Sequence, residues 1–290
     1  MVVDEASRFC AAEYRDYLVY KLLAEREKED RVRRVLEKLA GDELAHYRFW
    51  SRLAGNCKPR TSKLWLWSML IVRRLLGLTF TLKLLERGEL NTIKAYREVL
   101  DQLPPEDRSV LEKIIRDEEE HERKIIGSID ERLVSYLGFI ALGLSDAIVE
   151  LMGVYTGFLG ATSKAVIAGI AGLIVGVSAA ISMASAAYVQ AKHEIGKSPK
   201  FSALITGLTY IAAVAALSTP YLLQLPVVVA FAVSLLIATL LVGLLSLYVS
   251  VVRETSFRRE FIETLAVVYL TVVVAYMVGR LLGQMFGVTL

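Results

Sequence analysis

The sequence predicts an all-α protein in two parts, a four-helix bundle followed by five membrane-spanning helices. Three observations lead to this fold class: the distribution of charge, a repeat in the first part, and long apolar runs in the second. Hydrophobic residues make up 54% of the 290 residues, and the mean hydropathy is +0.46. Such a chain is too apolar for an ordinary soluble protein and long enough for two domains.

Charge separates the two parts of the chain. Of the 65 Lys, Arg, Asp and Glu residues, 14 lie from Tyr136 onward, which leaves 51 before it. We therefore expect a water-soluble domain at residues 1–133 and a transmembrane domain at 134–290. The net charge is only +3, and basic residues alternate with acidic ones, so nucleic acid is not an expected partner.

The first part contains an internal repeat of residues that can bind metal. Glu13, Tyr20 and Glu43-x-x-His46 are matched 75 or 76 residues later by Glu89, Tyr96 and Glu118-x-x-His121. Residues three apart lie on one side of a helix, so each Glu-x-x-His pair can bind the same ion. Two helices with a Glu and two with Glu-x-x-His form the ligand set of a di-metal site inside a four-helix bundle.

Each repeat must fold back on itself to bring its ligands together. The first turn is expected at 29–30, with Asp30 as a candidate N-cap. Clearer breaks lie at 55–59, before a helix that opens at 61–62, and at the two prolines 104–105, before the fourth helix.

One segment of the first part, 64–85, is apolar enough to span a membrane. Arg73 and Arg74 lie at its centre, where each would cost about 2.5–3.5 kcal/mol on insertion. We therefore interpret the segment as the start of a long third helix. Its excess apolar surface, including Trp65 and Trp67, then needs a partner subunit or the membrane surface as a cover.

The ligand set resembles that of the ferritin-like superfamily and, within it, the rubrerythrin branch, over residues 1–133. The resemblance implies a di-iron site in which Glu43 and Glu118 bridge the irons. The terminal ligands implied in this way are Glu13, Glu89, His46 and His121. Glu86 is a further candidate ligand, although a solvated helix surface is favoured for it and for the neighbouring acids Asp42, Glu119 and Glu122. Tyr20 and Tyr96 are expected in the core or beside the ligands rather than as redox groups.

The two cysteines, Cys10 and Cys57, lack Cys-x-x-Cys spacing. Neither a disulfide framework nor a rubredoxin-type iron site is therefore expected. The first residues lack a basic region followed by an apolar run, so no cleaved signal peptide is expected.

Five apolar runs in the second part each reach the roughly twenty residues that a bilayer requires. They lie at 136–161, 165–191, 201–220, 225–252 and 261–286. Basic residues gather in two of the connecting loops: Lys192, Lys197, Lys200, Arg253, Arg258 and Arg259. The opposite side has only Lys164 and Arg280. The positive-inside rule then predicts a cytoplasmic N-terminal domain and a C-terminus outside the cell membrane.

Two acids lie within the first predicted span. Asp146 and Glu150 are four residues apart and share one side of a helix, and carboxylates inside a membrane are costly enough to indicate function. Met183 on the second span offers a thioether that can accept a transition metal, although simple packing is the more usual role of such a residue. His193 and Glu194 form a candidate ligand pair at the cytoplasmic end of this span, where an ordinary loop position is favoured.

The segments 142–153 and 182–189 resemble the vacuolar iron transporter family, and the likeness extends over 136–290. The resemblance implies export of Fe(II), and often Mn(II), from the cytosol in exchange for protons. It also implies that Asp146 and Met183 are ligands of the transport path. Two positions depart from the family: Ala147 stands in place of Gly, and Ala187 in place of a Glu whose loss Glu150 would offset.

Together the two resemblances imply a membrane-bound iron exporter whose ferritin-like domain captures, buffers or oxidises iron. Fe(II) and protons would be its substrates, manganese an alternative metal, membrane lipids its surroundings and a homodimer its assembly. A membrane-anchored di-iron ferroxidase or peroxidase is the alternative, and an iron sensor that gates the path is a third. An anchor needs one span and no buried acids, so the sequence favours the exporter.

Overall fold

The computed structural model describes residues 2–55, 57–87, 89–121, 132–161 and 164–287, and all regular structure within these ranges is helical. The predicted all-α class is therefore confirmed for the described residues. The chain divides into two compact units, Met1–Glu131 and Arg132–Leu290, here called unit 1 and unit 2.

Unit 1 contains six described helices. They are α1 (Val2–Ala24), α2 (Asp30–Leu53), α3 (Lys63–Leu76), α4 (Leu78–Glu86), α5 (Glu89–Leu100) and α6 (Pro105–Glu120). The turn between α1 and α2 lies where the sequence predicts it, but Glu29 rather than Asp30 is the N-cap, and its side chain makes no capping bond. Pro105 opens α6, where its missing N–H would have had no helical partner.

The long third helix expected from the sequence is wrong. Helix α3 ends at Leu76, and Gly77 adopts a φ of 91°, a left-handed conformation that side chains other than glycine disfavour. The N–H of Gly77 bonds to the carbonyl of Arg73 at 3.0 Å and closes α3. The apolar run 64–85 therefore forms two short helices, and α5 follows as a separate third one.

Two apolar clusters lie at different levels along the helices of unit 1. On α1, Cys10 belongs to one cluster and Val19 to the other, with Glu13 between them in sequence. On α2, Leu39 and Trp50 belong to the second and first clusters respectively, with Glu43 and His46 between them. The candidate metal-ligand residues therefore occupy a polar layer between two apolar layers.

A disulfide joins Cys10 on α1 to Cys57 in the segment before α3. The expectation that these cysteines stand alone is therefore wrong. Their separation of 47 residues carries no sequence signal, because only the packing of the α2–α3 connection against α1 brings the two sulfurs together. The hydroxyls of Tyr47 and Ser51 donate to the carbonyl of Cys57 and fix this connection.

Unit 2 begins with the single turn α7 (Arg132–Ser135) and continues with five long helices. They are α8 (Leu137–Ala161), α9 (Ala165–Ala191), α10 (Pro199–Leu222), α11 (Val227–Val252) and α12 (Phe257–Met285). All five are long and apolar enough to cross a membrane, and their bounds lie within four residues of the predicted runs. They indicate an integral membrane protein.

Helix α8 is the central helix of unit 2 and packs against each of α9, α10, α11 and α12. Glycines make these approaches close: a Cβ at Gly279 would overlap the carbonyl of Gly157, and one at Gly143 would lie 2.6 Å from the carbonyl oxygen of Thr206. Gly157 and Gly172 both pack within this chain.

Candidate metal sites

The polar layer of unit 1 holds a buried group of three carboxylates and one imidazole. Glu13, Glu43, His46 and Glu118 each offer one ligand atom, and these atoms lie within 4.8 Å of one another. All four residues are at most 5% exposed. Helix α1 supplies the first, α2 the next two and α6 the last, so three helices converge on one point.

The two repeated motifs face each other across this layer. His46 Nδ1 lies 2.8 Å from Glu118 Oε1 and 3.9 Å from Glu43 Oε2. His121 Nδ1 lies 3.5 Å from Glu118 Oε2 and 3.6 Å from Glu43 Oε1. Each of these two carboxylates therefore presents one oxygen to each imidazole.

Two tyrosines hold the outer carboxylates in a crossed pattern. The hydroxyl of Tyr96 donates to Glu13, and the hydroxyl of Tyr20 donates to Glu86. Glu86 is only 8% exposed, so the favoured reading of this residue as solvated surface is wrong. Because Tyr20 and Tyr96 are repeat equivalents, Glu86 is the structural counterpart of Glu13. The side chain of Glu89 lies outside the described residues.

Aspartates contact the far nitrogens of both imidazoles. His121 Nε2 lies 3.0 Å from Asp42 Oδ2, and His46 Nε2 lies 3.8 Å from Asp117 Oδ2. Asp42 therefore orients His121 and is not the solvated surface residue that was favoured. Glu119, by contrast, is partly exposed and pairs with Arg97, while Glu122 lies outside the described residues.

The carboxylates keep both imidazoles charged. Burial opposes the charged form of His46, but Glu118 and Glu13 outweigh it and raise the pKa of His46 to about 10. Burial likewise opposes the charge on His121, whose pKa is raised to about 9 chiefly by its hydrogen bond to Asp42. A metal ion must displace these protons to bind, so metal and protons compete for the site.

The residues of this layer fit a metal ion. Within the described residues, neither ring nitrogen of His46 nor Nδ1 of His121 makes a hydrogen bond, although each side chain is only 2% exposed. These nitrogens instead face carboxylates as ion pairs, and a metal ion that displaced their protons would bind the nitrogens together with the neighbouring carboxylates. Carboxylate oxygens with imidazole nitrogens suit iron and other divalent first-row metals.

Unit 2 has its own polar pocket, on the side of α8 that faces α9. Asp146, Glu150 and Met183 all line it, so the structure brings together the three residues expected in the transport path. Ser178 and Ser182 add hydroxyl groups to the lining. The remaining candidates at the end of α9 behave as an ordinary loop, because His193 is exposed and Glu194 accepts a hydrogen bond from Gln190.

Tyr210 of α10 is a member of this second site that the sequence did not reveal. Its ring is fully buried, and its hydroxyl donates to Glu150 Oε2. Nothing in the local sequence links a tyrosine on the third span to an acid on the first. Asp42 and Asp117 did carry a signal, because each immediately precedes a Glu-x-x-His motif in the repeat.

No protein-family model, curated protein or solved structure matches this chain. The fold and the sites define an all-helical integral membrane protein with a buried Glu/His group that can hold a metal ion.

Proposed function

We propose that this chain exports Fe(II) from the cytosol in exchange for protons, with manganese as an alternative metal. The observation that carries the proposal is the pocket of unit 2, which two carboxylates and a thioether line on helices that contain no other charged residue. Carboxylates inside a bilayer are costly and mark ion paths. Hard oxygen and soft sulfur ligands together suit a transition metal better than they suit Mg²⁺ or Ca²⁺.

Proton coupling follows from the chemistry of the same ligands. A carboxylate binds metal in its deprotonated form, so protons and Fe(II) compete for Asp146 and Glu150. Protonation on an acidic outer side would release the metal, and the protonated site could return inward without bare charge in the bilayer. An outside-acid gradient would therefore drive export.

Unit 1 would act as a ferritin-like, rubrerythrin-type iron domain that captures, buffers or oxidises iron. The proposal draws on Glu43 and Glu118, each of which faces both imidazoles. Glu13 and Glu86 would complete the ligand set as the outer carboxylates of the two halves. Bound iron would supply redox chemistry at this layer, and the protein residues would hold and orient the ion.

The orientation proposed is a cytoplasmic unit 1 with the C-terminus outside the cell membrane. Six basic residues lie in the α9–α10 and α11–α12 connections or in the first turns of the helices that follow them. Against Lys164 and Arg280 on the other side, they support this orientation through the positive-inside rule. The disulfide of unit 1 argues in the opposite direction, because most cytosolic proteins keep their cysteines reduced except in heat-loving organisms. Labelling of Ile195→Cys and Leu223→Cys with a membrane-impermeant maleimide in intact cells decides, and the orientation requires that only the second reacts.

A homodimer in the membrane is the proposed assembly. Ser178 and Ser182 are exposed on α9, next to Asp146 and Glu150 in the pocket. Hydroxyl and carboxylate groups that face lipid are unfavourable. A second copy packed over this side of α9 would remove them from lipid.

The alternative function is a membrane-anchored di-iron ferroxidase or peroxidase, supported by the buried Glu/His layer alone. Five spans and an acidic pocket exceed what an anchor needs, so we favour export. Turnover of hydrogen peroxide by the iron-loaded protein, without flux, would favour the enzyme. Tight iron binding with neither activity would favour an iron sensor.

The test is Fe(II) flux through oriented proteoliposomes under opposite pH gradients. We expect flux toward the acidic side and little flux at any pH in Asp146→Asn, which resembles the protonated acid. Glu263→Gln is the matched control, because Glu263 is an exposed acid paired with Arg259 and its loss should leave flux unchanged. Equal flux under both gradients, or full flux in Asp146→Asn, would contradict the proposal.

A second experiment separates unit 1 from the path. The double variant Glu43→Ala with Glu118→Ala should lose stoichiometric iron binding by unit 1, because both residues that face the two imidazoles are gone. Flux at saturating iron should persist. Retention of two irons per unit 1 in this variant would show that the assigned ligands are wrong.

A further inference from the structure

Helix α3 carries an apolar surface on the outside of unit 1. Leu64, Trp67, Ile71 and Leu75 are 81%, 65%, 51% and 74% exposed, and their spacing of three or four residues aligns them along one side of the helix. These four side chains are called the α3 face. The other side of α3 packs against the apolar cluster of α1, α2 and α4 through Trp65, Leu66, Met69 and Leu70.

Within the segment that carries the α3 face, the charged residues all have one sign. No Asp or Glu occurs anywhere from residue 57 to residue 85, whereas six basic residues do: Lys58, Arg60, Lys63, Arg73, Arg74 and Lys83. Arg73 turns inward to an ion pair with Glu27. Lys63 and Arg74 are exposed, and they lie about three helical turns apart along one edge of the α3 face.

A second copy of this chain is a poor match for this surface. In an antiparallel pair of α3 helices, Lys63 of one copy would approach Arg74 of the other. In a parallel pair, each of these basic residues would face the same residue of the other copy. Like charges at a closed apolar contact are unfavourable. The segment contains no acid that could compensate for this repulsion.

An anionic lipid surface matches the α3 face in each respect. An apolar stripe with an aromatic residue and a basic edge is the pattern of helices that lie in the plane of a membrane interface. Tryptophan favours the level of the headgroups, and Lys and Arg side chains extend toward the phosphates while their methylene groups remain in the apolar layer. A membrane is available to unit 1, because the five long helices of unit 2 are long and apolar enough to cross one.

We propose that the α3 face docks unit 1 on the surface of a bilayer that contains anionic lipid. Leu64, Ile71 and Leu75 enter the boundary between headgroups and acyl chains, Trp67 lies at headgroup level, and Lys63 and Arg74 pair with lipid phosphates. This docking goes beyond the proposed function and does not depend on it, because it requires neither a bound metal nor transport.

The tryptophans of the chain make the docking measurable. All three, Trp50, Trp65 and Trp67, lie in unit 1, so no tryptophan emission arises from unit 2. Trp50 is fully buried, and the guanidinium of Arg15 covers the ring of Trp65 at 5.1 Å. Trp67 is thus the indole most open to contact with lipid.

The experiment is quenching of this tryptophan emission in the full chain, reconstituted in vesicles in which both phosphatidylglycerol and phosphatidylcholine are brominated. We expect strong quenching in these vesicles and weaker quenching when brominated phosphatidylcholine is the only lipid. Trp67→Phe keeps the apolar surface and should remove most of the quenching. Quenching that persists in Trp67→Phe would assign the signal to another tryptophan and overturn the proposal.

Charge reversal supplies the second arm. Each basic residue near an anionic surface strengthens partitioning by about fivefold, so Lys63→Glu with Arg74→Glu should weaken docking by at least about 25-fold. Lys113→Glu with Arg116→Glu is the matched control, because both residues are exposed on α6 away from the α3 face. Denaturant unfolding followed by tryptophan emission checks that each variant is folded. Equal quenching in the two double variants would contradict the proposal.

A second copy of the chain on the α3 face would give a different result from lipid. If two copies pack through their α3 faces, Ile71→Cys chains should form an intermolecular disulfide on mild oxidation, and lipid quenching of wild-type emission should be weak. If the face lies on lipid, Ile71→Cys should remain uncrosslinked. Crosslinking in high yield, together with weak quenching, would overturn lipid docking in favour of a protein interface.

Discussion

An aspartate at the edge of the buried Glu/His layer sets the direction of one of its imidazoles. Asp42 accepts a hydrogen bond from His121 Nε2 at 3.0 Å, which leaves Nδ1 directed at Glu43 and Glu118. Carboxylates that hold the far nitrogen of a metal-binding histidine typically contribute 10–100-fold to metal affinity. The ring would otherwise rotate and lose part of its ligand geometry.

Asp42→Ala should therefore weaken iron binding by unit 1 by about 10–100-fold. Anaerobic Fe(II) titration of the full chain in detergent measures this affinity. The binding phase that disappears in the double variant Glu43→Ala with Glu118→Ala is the one that belongs to unit 1. Glu37→Ala is the control, because Glu37 lies on the same helix and is 59% exposed. Equal affinity in Asp42→Ala and Glu37→Ala would mean that Asp42 has no orienting role.

Asp16, three residues after Glu13, makes unit 1 sensitive to pH. Burial raises the pKa of Asp16 from 3.8 to about 6, against the pull of Arg15. The folded state therefore binds a proton more tightly than the unfolded state between about pH 4 and pH 6. Stability is lost as the pH rises through this window, by up to about 3 kcal/mol for such a shift.

Asp16→Asn should remove this loss in the metal-free protein. We expect the variant to be more stable than wild type at pH 7.5, by up to about 3 kcal/mol, with the difference vanishing near pH 4. Denaturant titration followed by tryptophan emission measures unit 1 alone, because all three tryptophans lie there. Asp101→Asn, at an 89% exposed position, should show no such dependence; a flat difference for Asp16→Asn would contradict the burial argument.

The repeat in the sequence anticipated the ligands better than it anticipated their partners. Glu43, His46 and Glu118 converge as their spacing predicts, because residues three apart on one helix share a side whatever the tertiary structure. The offset of 76 residues matches Glu13 with Glu89, yet Tyr20 selects Glu86. Such crossed contacts depend on how α1 and α4 pack, which no local pattern records.

The length and apolarity of the runs predicted the bounds of the long helices in unit 2, whereas single residues did not predict where the helices of unit 1 end. The five long helices of unit 2 follow their predicted runs because a bilayer requires a continuous apolar length. Gly77 gave no comparable signal, since an isolated glycine is tolerated inside many helices. Its positive φ, which separates α3 from α4, is a feature of the folded chain that the local sequence does not record.

The disulfide between α1 and the α2–α3 connection was not predicted from the sequence, and it should stabilise unit 1. It closes a loop of 47 residues between α1 and the α2–α3 connection, and such a link typically contributes about 2–4 kcal/mol. Cys10→Ser with Cys57→Ser should lower the free energy of unfolding of unit 1 by that amount, measured by tryptophan emission. Reductant should destabilise the wild type by the same amount and leave the double variant unaffected. Equal stability of the two proteins without reductant would contradict the stabilising role of the disulfide.

At the scale of the whole molecule, the two units contain separate sets of metal-binding side chains. Unit 1 combines carboxylates with imidazoles, and unit 2 combines carboxylates with a thioether. If unit 1 captures iron for the path, it raises the local iron concentration, and tethered sites commonly experience effective concentrations of about millimolar. Its contribution should then matter most when iron is scarce.

Deletion of residues 1–131 should therefore raise the iron concentration that gives half-maximal flux while leaving flux at saturating iron nearly unchanged. The intact chain with Glu43→Ala and Glu118→Ala should behave like the deletion, because it keeps the domain but loses its iron. Fe(II) flux in proteoliposomes over a range of iron concentrations compares the three proteins at equal reconstituted amounts. Complete loss of flux in a folded deletion, with normal flux in the double variant, would instead show that unit 1 gates the path by its presence and not by the iron that it captures.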